Sequence, residues 1–60
     1  MMLDAATLAF VAANLRARAL AELLMRDAAR REGRAEIAAL HADRAGAFQE
    51  AAAAVPLLRD

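Results

Sequence analysis

An all-α protein is expected of this chain, in the form of an antiparallel helical hairpin that assembles into a four-helix or larger bundle. Three observations lead there. Of 60 residues, 20 are alanine, and no glycine or proline precedes Gly33. The apolar residues recur at three- and four-residue spacing, the helical period. Each helix so defined carries apolar residues on two sides, more than one hairpin can cover.

The first helix is expected over about 4–31, with Asp4 as N-cap followed by strong helix formers. Its length at 1.5 Å per residue is roughly 40 Å. Arg26, Arg30 and Arg31 crowd its last turns, where cations favour the negative end of the helix dipole. Gly33 supplies the residue that tolerates a left-handed conformation after a helix. The turn is therefore placed at about 32–34, short enough to set the two helices antiparallel. The second helix is expected over about 35–55. Pro56 stops it by biasing Val55 away from helical geometry, which leaves 56–60 as a tail. Together 1–60 form a single domain.

In the second helix, Ile37, His41, Arg44, Phe48, Ala51 and Val55 alternate spacings of four and three, the pattern of a packed seam. A second series, Ala35, Ala39, Ala42, Gly46, Gln49 and Ala53, lies roughly opposite and consists almost entirely of small residues, suited to close helix approach. The first helix has a stripe of Ala6, Phe10, Ala13, Ala17, Leu20, Leu24 and Ala28. Another is made of Leu8, Ala12, Leu15, Ala19 and Leu23, helped by Val11. A narrow strip of Asp4, Thr7, Asn14, Arg18 and Glu22 is expected to be wet. The residues expected at interfaces are Leu8, Phe10, Val11, Leu15, Leu20 and Leu24 with Ile37, His41, Arg44, Phe48 and Val55, and the N-terminal stripe of Leu3, Leu8, Val11 and Leu15 is expected to be the surface used between hairpins or by a partner.

Composition narrows the function classes. With no cysteine there is neither disulfide nor thiolate metal site, and a single histidine argues against zinc. Small folds without such staples recover stability by oligomerising. Eight basic residues, all arginine, balance eight acidic ones, so net charge provides no general pull toward nucleic acid or anionic lipid. The apolar start of the chain lacks a basic leader segment and carries Asp4. Asn14, Arg16, Arg18 and Glu22 interrupt any membrane-length apolar window. A soluble, cytoplasmic protein is expected.

No motif for catalysis is found. There is no serine, Thr7 is the single hydroxyl, and no glycine-rich phosphate loop or Glu-x-x-His pairing is present. His41 is read as a half-buried imidazole bonded across an interface, and Arg44 as a seam residue whose head reaches a carboxylate such as Glu22. Arg26, Arg30, Arg31 and Arg34 are read as a helix end neutralised in part by Asp27, which pairs with Arg30 and Arg31. The expected function is thus an interaction or assembly module. No catalytic, cofactor or metal site is expected, and its partners are further copies of itself and possibly another helical protein. A dimeric hairpin that binds structured RNA, and a hairpin that shields a helical subunit, are the alternatives.

Overall fold

A computed structural model of the chain describes residues 3–58. Helix α1 spans Ala5–Arg31, helix α2 spans Ala35–Ala54, and a short 3-10 turn, Val55–Leu58, follows directly. The two helices pack antiparallel as a hairpin. Its radius of gyration is 14.2 Å, where a compact globule of this length has about 10 Å. The molecule is a rod of 46 × 14 × 13 Å.

Each boundary has a local cause. Asp4 sits in extended geometry, and its Oδ1 accepts the Thr7 backbone N–H at 2.6 Å, satisfying one of the free donors of the first turn. At the other end Gly33 takes φ +73. Its N–H donates to the Arg30 carbonyl at 3.0 Å while the Arg34 N–H donates to that of Ala29 at 2.8 Å. This pair of bonds is the Schellman closure, and it turns the chain back within three residues. Helix α2 starts at Arg34 with no side-chain cap, helped by Glu36 in its positive first turn.

The hairpin closes along one seam from each helix. On α1 the buried residues are Leu8, Ala12, Ala19, Glu22 and Ala29, and Leu15 and Arg26 fill the same register half-buried. On α2 they are Ala38, Ala45 and Ala52, with His41 and Phe48 half-buried between them. Both series step by three and four, as knobs-into-holes packing requires. Leu8, Ala12 and Val55 form the apolar cluster, with Leu15 packed against it, at the end remote from the turn.

Five expectations are corrected. The seam of α2 is rotated by part of a turn: Ile37, Arg44 and Ala51 are exposed, and Ala38, Ala45 and Ala52 take their place. Small side chains there let the backbones approach, and the rotation keeps the Arg44 guanidinium at the edge, where burial would cost more. Glu22 is not wet but 4% exposed, because its position falls on the α1 seam, where His41 and Arg44 meet it. Within the hairpin Gly46 marks no close approach, since a Cβ built there meets nothing within 4 Å. Asp27 pairs with neighbouring Arg26 at 2.9 Å. Finally, Pro56 ends the α-helix without forming a tail at once. Val55 stays helical at φ -54, ψ -44, fastened by its cluster, and Pro56 enters the first positions of the 3-10 turn, where a missing N–H costs nothing. Residues 59–60 of the expected tail lie outside the described residues.

Candidate interaction surfaces

Glu22 is the buried charged residue among the described ones. Sitting in the middle of α1, it faces two consecutive turns of α2, and its partners are three residues apart there. The Nδ1–H of His41 donates to Glu22 Oε1 at 3.1 Å, with Oε2 at 3.4 Å. Arg44 Nε lies 3.2 Å from the same Oε1. The imidazole is four-fifths buried, whereas the Arg44 side chain remains more than half exposed, so its head stays hydrated while its charge compensates the carboxylate. One turn along the same flank, the Arg18 guanidinium stands over the Phe48 ring at 5.9 Å from the centroid.

This cluster can orient an imidazole, because a carboxylate on Nδ1 fixes the tautomer and leaves Nε2 as the acceptor. Thr7, the single hydroxyl of the chain, is 15 residues of helix from Glu22, about 22 Å away. No group of three or more histidine, aspartate or glutamate side chains that could hold a metal is found among the described residues. What the cluster does fix is register: one buried carboxylate is satisfied only when α2 is at one height and one rotation.

The other features are surfaces. Phe10, Leu20 and Leu24 are 71%, 59% and 62% exposed. With Ala6, Ala13 and Ala17 they make a stripe along the side of α1 that faces away from α2, and the stripe contains no charged residue. On the flank of the Glu22 cluster, Val11, Ile37 and Leu40 are exposed at intermediate levels. A shallow groove of about 270 Å³ runs along Ala5, Leu8, Ala9, Ala12 and Arg16 beneath Val55 and Pro56. The outer side of α2 differs in kind: Glu36, Asp43 and Glu50 recur there at seven-residue spacing, all exposed.

The interface residues expected from the sequence thus divide into three. Leu8 and Leu15, expected with Leu3 and Val11 at the surface between hairpins, instead close the hairpin itself: Leu8 and Val55 are spent inside it, and Leu15, His41 and Phe48 are partly so. Val11, Ile37 and Arg44 lie on one flank, and Phe10, Leu20 and Leu24 on the outer face of α1. The sequence reading missed Ala38, Ala45 and Ala52, whose signal is an alanine every seventh residue. No described helix is long and apolar enough to cross a membrane. No protein family, no curated protein and no solved structure matches the chain.

Proposed function

We propose that the chain is an assembly module: a helical hairpin that associates with copies of itself into a bundle of four or more helices, offering the same kind of surface to a helical partner. The observation that carries this reading is the uncharged apolar stripe on the outside of α1, headed by Phe10, Leu20 and Leu24. Hydrophobic burial at about 25 cal/mol per Å² makes such a stripe a strong driver of association. The interior of the hairpin supports the same conclusion. Among the described residues no large side chain is fully enclosed, and the seam is mostly alanine, so two helices alone supply little burial.

In this reading the protein binds and does not catalyse, and it works in the cytoplasm. The Glu22–His41–Arg44 cluster sets the alignment of the helices. Sedimentation equilibrium and circular dichroism over a dilution series test the proposal. Helicity and mass should fall together on dilution, whereas a fully helical monomer at all concentrations refutes self-association.

A further inference from the structure

We infer that the outer face of α1 receives a second copy of the chain as an antiparallel α1–α1 pair, with the two-fold axis at the height of Leu15 but on the outer face, between Ala13 and Ala17; this deepens the self-association reading and rests on it. The stripe has two edges. Phe10, Ala17 and Leu24 lie along one, and Ala6, Ala13 and Leu20 along the other, by the 100° advance of a helix. A two-fold axis perpendicular to both helices keeps each edge on its own side. Every layer between the helices then takes one residue from each edge.

With the axis at the height of Leu15, Phe10 meets Leu20 of the second copy, Ala13 meets Ala17, and Ala6 meets Leu24. Each meeting occurs twice. Alanine layers at the centre allow the axes to come near the lower end of the usual ~8–10 Å separation, and the Phe10–Leu20 layers fill the space on either side. The stripe is self-complementary in this register, as an isologous contact must be. A parallel pairing would place the Arg30 and Arg31 ends of both copies together. The antiparallel one separates the two basic ends and sets each toward the N-terminal end of the other α1.

The areas agree. The chain exposes 4528 Å², whereas a compact monomer of its 6.4 kDa mass is expected to expose about 3,800 Å². The excess, roughly 700 Å², is close to the ~800 Å² each partner gives to a standard interface. The acidic outer side of α2, with Glu36, Asp43 and Glu50, remains in water, so the four helices lie in the order α2, α1, α1, α2. Arg16 flanks the stripe but lines the groove beneath Val55, away from the contact.

Two measurements test this. In sedimentation equilibrium, Leu20→Glu should weaken dimerisation on the order of 100-fold, since each dimer loses two buried leucines, while Glu36→Gln leaves it unchanged. With a short bismaleimide, Asn14→Cys should cross-link between copies, because the two residues sit beside the axis. Thr7→Cys should not, its two copies being about 24 Å apart along the helices. Equal cross-linking at both positions would show a parallel pair and overturn the inference. A Leu20→Glu chain that still dimerises at the original strength also overturns it, while the broader reading survives on another face. A wild-type chain that is monomeric throughout removes both. Should Leu20→Glu fail to fold, the cross-linking pair decides, because its stripe is native.

Discussion

Across the helix pair, the Nδ1–H of His41 reaches Oε1 of Glu22 at 3.1 Å, joining the mostly buried imidazole to a carboxylate that water scarcely touches. A buried carboxylate that loses a donor keeps its desolvation cost, so removing one partner should hurt more than removing the pair. His41→Ala is expected to destabilise the hairpin by about 1–3 kcal/mol. Glu22→Leu combined with His41→Leu should cost less than that single change, because an apolar pair of similar volume needs no donor. Urea unfolding at one fixed protein concentration measures both, and a double variant worse than the single one would contradict the register role.

Ala45 is 1% exposed and Ala39, six residues earlier, faces solvent. Ala45→Leu forces the helices apart and is expected to cost about 1–3 kcal/mol. Ala39→Leu should change stability by no more than about 0.5 kcal/mol. Equal effects at the two sites would mean that α2 is rotated differently from the seam described above.

The two glycines should respond with opposite signs. Gly33 holds φ +73, where a side chain is strained, so Gly33→Ala is expected to destabilise by about 1 kcal/mol. Gly46 lies within a helix with nothing near a new Cβ, and Gly46→Ala should stabilise by about 1 kcal/mol. Thermal melts of the two variants beside the parent chain settle the signs. A loss at Gly46 would point to another helix packed there in the assembly.

Acid should loosen the start of α1. The Thr7 backbone N–H and hydroxyl hold the Asp4 carboxyl below the usual carboxylate range. A group whose folded value is lowered contributes stability above its unfolded value, near 3.8, and that contribution disappears as pH falls through the folded value. Asn caps equally well without titrating. The difference in helicity between the parent chain and Asp4→Asn should therefore change as pH drops below about 4 and be flat above about 5. A difference independent of pH would show that the cap carries no charge-dependent share.

How far these features could be read beforehand follows from side-chain size. The helix starts and stops were legible because Asp4, Gly33 and Pro56 act locally through backbone geometry. The α1 stripe of Leu8, Ala12, Leu15 and Ala19 was legible as apolar because two leucines mark it, but its use was not: Leu8 and Leu15 were expected between hairpins and close the hairpin itself. On α2 the marks misled. Phe48 and Val55 do lie on the seam, but Ile37 does not, and a seam drawn through Ile37, Arg44 and Ala51 misses the alanines at 38, 45 and 52, which look like any other alanine in a chain with 20 of them. Glu22 was read as solvated because a carboxylate normally is. Its pairing with Arg44 was expected and is present, but its burial also depends on His41 arriving from the other helix, a relation that no single-helix period contains.

The Leu8–Ala12–Val55 cluster sits where the two rods have no covalent link, so it works as a clasp opposite a hinge. The turn at Gly33 keeps one pair of ends together whatever else happens. The other pair stays shut only while Val55 is gripped. Splaying therefore has a set direction, beginning at the clasp and travelling toward the turn, and the buried ion cluster midway along is the point where that motion would next be checked.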